Sequence, residues 1–250
     1  MKEDGQAYDE YRDSHASPDY GKLYARTYEV GYYRDQWERI EKPLLQSILR
    51  DLQKSGRDEC LDFACGTGRI TAVAAGCFST VVGVDVSATM LQQAKHNCDT
   101  VEFIQQDITS VPLDRSFDVV TAFRFFLNAQ PALRTSALES IHRSLRENGR
   151  LVLNIHVNST SILGIAYRLR NRLVGKTVAN TISFTEFEQY LQDCGFEVET
   201  TSWYSYLPRV GWRFARLSAF LMMPVERFSR WFPLIPKGLA QSFIIVARKV

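Results

Sequence analysis

Two spacings of apolar residues alternate through the middle of the chain. Short apolar runs with the length of buried strands occupy residues 59–63, 80–84, 101–105, 117–123 and 150–157. Apolar positions recur every three or four residues, as in amphipathic helices, over 68–78, 88–97 and 131–146. The alternation predicts an α/β fold, a doubly wound sheet with helices on both faces.

Further elements are predicted on either side of this region. Apolar residues at helical spacing predict a helix over 37–52. Ser183 and Glu186 form a capping box that opens a helix ending at Gly195. Two last strands follow over 196–206 and 243–248.

The whole chain, residues 1–250, is predicted to be a single domain, because neither an internal repeat nor a low-complexity linker interrupts it. Its parts are an N-terminal arm, a ligand-binding core and two insertions, at 1–36, 37–157, 158–182 and 208–240.

A glycine turn follows the first predicted strand. Residues 62–68 read Asp-Phe-Ala-Cys-Gly-Thr-Gly and lead into a helix. Gly66 and Gly68 allow a sharp bend and leave room for a ligand, toward which the helix directs its N–H groups. The second strand ends at Asp85, where a carboxylate can accept both hydroxyl hydrogens of a ribose. The pattern favours a nucleoside site, and the alternative is a tight turn with an incidental aspartate.

This turn resembles the first motif of the class I S-adenosylmethionine-dependent methyltransferases, D-x-G-x-G-x-G. Asp62, Gly66 and Gly68 match it, whereas Ala64 replaces the first glycine. A dinucleotide site would require G-x-G-x-x-G, whose third glycine is missing here because Thr71 stands at that position. Later segments are similar to the same family in the same order, at 105–108, 117–120 and 194–196.

The resemblance implies a Rossmann-like sheet of seven strands with the last antiparallel, and S-adenosyl-L-methionine as the cofactor. It implies that Asp62 and the glycine turn hold the methionine part, Asp85 the ribose, and Asp107 with Ile108 the adenine. The cofactor-binding residues that we expect are Asp62, Ala64, Gly66, Gly68, Asp85, Val86, Met90, Asp107, Ile108 and Phe123.

Met90 and two tyrosines of the N-terminal arm have open alternatives. Met90 is a candidate to pack on the purine, and a core methionine is its alternative. Tyr20 or Tyr24 is a candidate to close over the cofactor carboxylate, and an ordinary surface or core tyrosine is the alternative.

The acceptor is expected near the carboxyl ends of the fourth and fifth strands. Arg124 is a candidate clamp for a carboxylate or phosphate, with a structural salt bridge as its alternative. His156 is the candidate base, with a hydrogen-bonded structural histidine as its alternative. Residues 123–128 also resemble, weakly, a stretch of the ubiquinone/menaquinone biosynthesis methyltransferases.

We therefore expect an enzyme that transfers a methyl group from S-adenosylmethionine to a small-molecule or lipid-like acceptor. Two other functions remain open from the sequence. One is a nicotinamide-dependent oxidoreductase on a Rossmann-type sheet, and the other is a non-catalytic cofactor-binding partner protein.

Charge is distributed unevenly along the 250 residues, although the net charge is only +2. Residues 157–182 carry +4 without an acidic residue, and residues 208–240 carry +5 together with many aromatic and aliphatic residues. This composition is typical of an interfacial membrane helix. A substrate lid with solvated arginines and docking on an anionic membrane are the two main interpretations. Nucleic acid is not expected as a partner, because no RNA-binding module is evident.

The cysteines and the hydropathy of the chain indicate where in the cell the protein is expected and whether it binds a metal. The five cysteines form no C-x-x-C pair, and neither they nor the four histidines have the spacing of a metal site, so no metal is expected. We find no signal-peptide pattern and no apolar run long enough to span a bilayer. The expected location is cytoplasmic, with peripheral attachment to the inner face of a membrane as an open alternative.

Overall fold

Seven strands run through the computed structural model, which describes residues 31–177, 179–207, 215–232 and 234–250. In chain order they are β1 Glu59–Phe63, β2 Thr80–Asp85, β3 Glu102–Gln105, β4 Phe117–Ala122, β5 Leu145–Ile155, β6 Phe196–Tyr204 and β7 Ser242–Lys249. They form one sheet in the order β3-β2-β1-β4-β5-β7-β6. All neighbours from β3 to β5 pair in parallel, whereas β7 is antiparallel to both β5 and β6. The predicted doubly wound sheet with an antiparallel last strand is confirmed.

Helices cover both faces of this sheet. They are α1 Tyr32–Gln36, α2 Lys42–Lys54, α3 Arg69–Ala75, α4 Ala88–Asn97, α5 Pro131–Ser144, α6 Ile162–Val174, α7 Phe184–Asp193 and α8 Ala215–Trp231. A π-helical turn, Trp37–Glu41, joins α1 to α2, and a short 3-10 helix, Lys237–Leu239, precedes β7. No described helix is long and apolar enough to cross a membrane.

Two apolar clusters, one for each face of the sheet, account for its stability. Phe126, Leu138 and Phe187 belong to the cluster beneath α5 and α7. Leu45 and Val73 belong to the cluster beneath α2 and α3. Burial on both faces explains why β2 and β4 contain consecutive apolar residues, such as Val81 with Val82 and Val119 with Val120.

Several strand ends differ from the sequence prediction, and two of the differences have a clear cause in the backbone. β5 begins at Leu145 rather than at residue 150, because Asn148 takes a left-handed conformation inside an irregular stretch of the strand instead of forming a turn before it. β6 ends at Tyr204 rather than at residue 206, because Ser205 has φ +62° and turns the chain away. Both ends depend on single backbone conformations that apolar spacing does not encode.

Candidate functional site

A cleft opens at the carboxyl ends of β1, β2 and β3. Five of the expected cofactor residues line it: Ala64, Asp85, Val86, Asp107 and Ile108. The other lining residues are Phe63, Val84, Gln106, Thr109, Phe125 and Leu133. The topology brings them together because parallel strands end at one edge of the sheet.

The glycine turn begins at the cleft, where Ala64 is one of the lining residues, and its backbone is open at Gly66. Gly66 has φ +56°, and a methyl group added there would meet no atom within 4 Å. Gly68, at φ +78°, allows the start of α3 to lie close to α4. A methyl group added there would lie 3.0 Å from Cβ and 3.1 Å from Cα of Ala94. The turn therefore exposes its backbone at Gly66 and lets α3 and α4 pack closely at Gly68.

Asp85 ties the glycine turn to the end of β2. Its Oδ2 accepts a hydrogen bond from the Gly66 backbone N–H at 2.8 Å, and its Oδ1 accepts one from Ser87 N–H at 2.8 Å. A carboxylate can accept about four hydrogen bonds, so these two bonds are compatible with a ribose diol at the mouth of the cleft.

The far end of the cleft combines a polar turn with apolar walls. Asp107 accepts hydrogen bonds from the Thr109 backbone N–H at 3.1 Å and the Thr109 hydroxyl at 2.6 Å, which fixes the loop after β3. Val86 is 42% exposed, whereas Ile108 is buried. Phe125 packs edge-on against Phe63 with ring centroids 4.9 Å apart. Apolar walls beside a fixed polar turn suit a planar base.

Asp62 lies below the turn rather than among the residues that line the cleft. Its two oxygens accept hydrogen bonds from the hydroxyls of Thr71 at 2.6 Å and Thr121 at 2.7 Å. Burial raises the pKa of this carboxyl group to about 6. Thr71 stands where a dinucleotide motif has its third glycine, so its hydroxyl joins α3 to β1 at that point.

Met90 and Phe123 are also buried rather than on the cleft wall. Met90 lies in the first turn of α4, where its N–H bonds the Ser87 hydroxyl that caps the helix. Phe123 packs in the cluster that contains Trp37. Tyr20 and Tyr24 lie outside the described residues.

The cleft residues fit the nucleoside part of S-adenosylmethionine. An open glycine backbone, a carboxylate at the strand end and an apolar slot are the three features that a ribose and a purine require. All three are present here, at Gly66, Asp85 and between Val86 and Ile108.

A buried polar network lies at the same sheet edge, beyond β4 and β5. Arg124, at φ +61°, donates from a guanidinium nitrogen to Glu41 Oε2 at 2.9 Å. Its backbone N–H donates to Asn154 Oδ1 at 2.8 Å, and the Asn154 amide donates to Glu41 Oε1 at 3.0 Å. Glu41 is fully buried and belongs to the π-helical turn. The structural salt bridge considered for Arg124 is therefore present.

His156 follows β5 at the edge of this network. Its Nδ1 is buried and has no hydrogen-bond partner among the described residues. Burial lowers the pKa of His156 well below its usual range, and the charges of Arg124 and Arg69 lower it further. The imidazole is therefore neutral at physiological pH, which is the form that can accept a proton.

Sequence reasoning missed several of these residues. Glu41 carried a signal, because a charged residue stands one turn before Leu45 on the apolar face of the helix. Phe125 and Leu133 carried no signal of their own, since loop geometry and α5 bring them to the cleft. Within the described residues no group of metal-ligating side chains is found.

Comparisons with known proteins agree with this geometry. A family model described as "Methyltransferase domain" matches residues 60–149. The demethylmenaquinone methyltransferase of Tropheryma whipplei is 31% identical over 170 residues, which cover 58% of this chain and 68% of that protein. The chain belongs to the class I S-adenosylmethionine-dependent methyltransferases.

Other relatives of this methyltransferase support the same assignment. The 27-O-demethylrifamycin SV methyltransferase of Amycolatopsis mediterranei is 28% identical over 220 residues, which cover 83% of this chain and 78% of that protein. The crystal structure of the magnesium protoporphyrin IX methyltransferase from Synechocystis with bound SAH has the same fold, with a TM-score of 0.66 at 16% identity. The fold match covers 96% of this chain and 97% of that one. The enzyme is a methyltransferase whose cofactor is S-adenosylmethionine, so the oxidoreductase and non-catalytic alternatives are set aside.

Proposed function

We propose that this methyltransferase acts on a small-molecule or lipid-like acceptor whose nucleophile transfers a proton to His156. The observation that carries the proposal is the imidazole at the end of β5, whose buried Nδ1 has no hydrogen-bond partner in the described part of the chain. The relatives' names support the acceptor class, because they state a demethylmenaquinone and a demethylrifamycin as the acceptors of those enzymes.

The cofactor residues divide into two groups in this proposal. Asp85, Val86, Asp107, Ile108 and the backbone beside Ala64 would contact the nucleoside, since all five residues line the cleft. Gly66 would place its open backbone beside the ribose. The others act through position, holding the turn and the helices that face the cofactor; they are Asp62, Gly68, Met90 and Phe123.

Bound S-adenosylmethionine supplies a methyl group activated by the positive charge of its sulfonium. The protein's main contribution is to align the acceptor with that carbon and to exclude water. His156 accepts the proton that the acceptor loses as the new bond to carbon forms and the carbon–sulfur bond breaks. Arg124, held by Glu41, contributes positive potential that favours the deprotonated acceptor.

The acceptor class is tested by transfer of radiolabel. Purified enzyme and S-adenosylmethionine labelled on its methyl group are incubated with a cell extract that is then separated into organic-soluble molecules, protein and nucleic acid. The proposal predicts label in the organic-soluble fraction, at a level that a heat-inactivated enzyme does not reach. Label confined to protein or nucleic acid would overturn it.

The role of His156 is tested by a pH profile. Because its pKa lies well below the usual range, the wild-type rate should show no histidine limb near pH 6.5. His156→Gln should lower kcat by roughly 10²- to 10⁴-fold at constant KM. The control is His96→Gln, an exposed histidine of α4, which should leave both unchanged. An acidic limb near pH 6.5 that His156→Gln removes, or an unchanged kcat in that variant, would refute the assignment.

A further inference from the structure

Helix α6 has an apolar stripe that no other described segment covers. Ile165, Leu169 and Leu173 follow one another at helical spacing and are 53%, 57% and 78% exposed. Ile162, also exposed, extends the stripe toward the start of the helix.

The opposite side of α6 holds the helix on the protein. Gly164 is buried there, and a methyl group added to it would lie 2.0 Å from the carbonyl oxygen of Asn158. The side chain of Asn171, on the same side, donates to the Ala179 carbonyl at 2.8 Å. The apolar stripe therefore points away from the body of the enzyme.

Helix α8 repeats this arrangement. Leu217, Phe220, Phe228 and Trp231 recur at helical spacing and are exposed, and Trp231 is 79% exposed. Met222 and Glu226 on the other side of the helix are buried, and the Glu226 carboxylate accepts the Ser205 backbone N–H at 3.0 Å. The segment after α8 adds Leu234, which is 78% exposed.

Hydrogen bonds join the end of the α8 segment to the start of α6. The Asn158 amide donates to the carbonyls of Gly238 at 2.9 Å and Ala240 at 3.0 Å. The Thr160 hydroxyl also donates to Gly238, at 2.8 Å. The two stripes therefore belong to neighbouring segments, and together we call them the basic apolar surface: residues 162–176 and 217–239 as far as they are described.

Basic residues flank the apolar stripes. Arg168 and Arg172 lie along one side of the α6 stripe, Arg170 along the other, and Lys176 follows the helix; all four are exposed. Exposed Arg227 lies beside the α8 stripe. The one acidic residue of 162–176 and 217–239 is Glu226, which is buried. Arg209 and Arg213, which the sequence analysis assigned to the same region, lie outside the described residues, and the Arg216 side chain does as well.

We propose that the basic apolar surface docks this methyltransferase on an anionic lipid bilayer, with α6 and α8 lying in the interface. Aliphatic and aromatic side chains would enter the boundary of the acyl chains, while the long arginine and lysine side chains reach the headgroups. A nucleic acid explains the surface less well, because aliphatic residues such as Ile165 and Leu169 give its phosphate backbone nothing to bind. The proposal does not depend on the acceptor or on His156.

The test is flotation of the purified full chain with lipid vesicles. Vesicles of phosphatidylcholine with roughly one third phosphatidylserine are compared with vesicles of phosphatidylcholine alone. Docking predicts flotation with the anionic vesicles, weaker flotation with the neutral ones, and weakening at high salt because surface charges are screened.

Two double variants separate the apolar and the basic contributions. Arg168→Gln with Arg172→Gln should weaken partitioning onto anionic vesicles by roughly thirtyfold. Leu169→Gln with Leu173→Gln should weaken it by at least about tenfold on the same vesicles. The matched controls are Lys54→Gln with Arg143→Gln and Val111→Gln with Val250→Gln, which remove exposed charges and exposed valines elsewhere. Both control variants should float like the wild type.

All the altered side chains are exposed, so each variant is expected to fold. Unchanged thermal unfolding and unchanged cofactor binding check that it does. The proposal is overturned if the wild type fails to float, floats equally with neutral vesicles, or floats equally after either surface change. It is also overturned if light scattering shows that the wild type is a dimer, and the two leucine changes convert it to a monomer without reducing flotation. Binding of an RNA or DNA duplex that depends on Arg168 and Arg172, without flotation, would identify a nucleic-acid surface instead.

Discussion

At the scale of single residues, Ala64 is strained where the family's motif has glycine. Its φ of +52° lies in the left-handed region, which costs a residue with a Cβ about 1 kcal/mol. The sequence analysis identified the substitution from the motif, but only the structure gives its conformational consequence. Strain of this kind is often found beside ligand sites.

Ala64→Gly should therefore raise the free energy of unfolding by about 1 kcal/mol, because glycine adopts this φ without a steric cost. Urea unfolding measures the change. The matched control is Ala72→Gly at an exposed position of α3, which should lower stability by about 1 kcal/mol because glycine is a poor helix former. Loss of stability in both variants would contradict the account of Ala64.

Asp62 should make stability depend on pH. Its folded-state pKa of about 6 lies above the usual 3.8, so the folded protein holds this proton more tightly than the unfolded chain does. The stabilising contribution is therefore present below about pH 4 and is lost as the pH rises through 6. Relative to an Asp62→Asn variant, the wild type should lose about 2 kcal/mol between pH 4 and pH 7. Denaturant unfolding of both proteins across this range measures it, and a constant difference between them would contradict the assigned burial.

The role of a residue could be predicted where a sequence motif fixes its backbone position. It could not be predicted where packing between distant elements decides the role. Asp85 was predicted from its position at the end of β2, and it lies at the cleft and accepts a hydrogen bond from Gly66. The burial of Asp62 beneath Thr71 and Thr121 was not predicted, because those partners lie on α3 and β4. The pairing of Glu41 with Arg124 spans 83 positions of sequence, which local patterns do not encode.

At the scale of elements, apolar spacing predicted the strands and helices of the core well. The predicted bounds of β1 and of α4 are the same as those in the structure. The π-helical turn at Trp37–Glu41 was not predicted, since its extra residue per turn breaks the helical spacing only locally. That turn places Glu41 in contact with Arg124, so an irregularity in one element sets the site's electrostatics.

The attachment of α6 gives a prediction at this scale. Gly164→Ala places a methyl group 2.0 Å from a backbone oxygen and 2.8 Å from Ser159 Cα, so α6 must move away from the 158–161 loop. Trypsin cleavage at Arg168, Arg170 and Arg172 should accelerate on the order of tenfold or more, because displaced helices open locally.

The control for that experiment is Gly175→Ala at the end of α6. It has φ +70° and open space around it, so alanine costs only conformational strain of about 1 kcal/mol there. Cleavage in the control should rise much less than in Gly164→Ala. Equal cleavage of wild type and Gly164→Ala would show that α6 is not held at this glycine.

At the scale of the whole molecule, the charge is divided between two parts. Residues 157–182 and 208–240 together carry +9, and the remaining chain carries −7. In the structure both basic segments begin at the carboxyl edge of the sheet, one after β5 and the other after β6. The cofactor cleft lies at the carboxyl ends of β1 to β3, and His156 lies at the end of β5. A seven-stranded sheet with the last strand antiparallel was predicted from the family resemblance, whereas the strand order and the outward direction of the apolar stripes required the structure.

The central claim is that the cleft at β1 to β3 holds the nucleoside of the cofactor. Calorimetric titration of S-adenosylhomocysteine tests it most directly, with wild type, Asp85→Ala and the exposed-residue control Asp99→Ala. The account predicts one site in the wild type, binding at least about tenfold weaker in Asp85→Ala, and unchanged binding in Asp99→Ala. Equal affinity of the wild type and Asp85→Ala would contradict it.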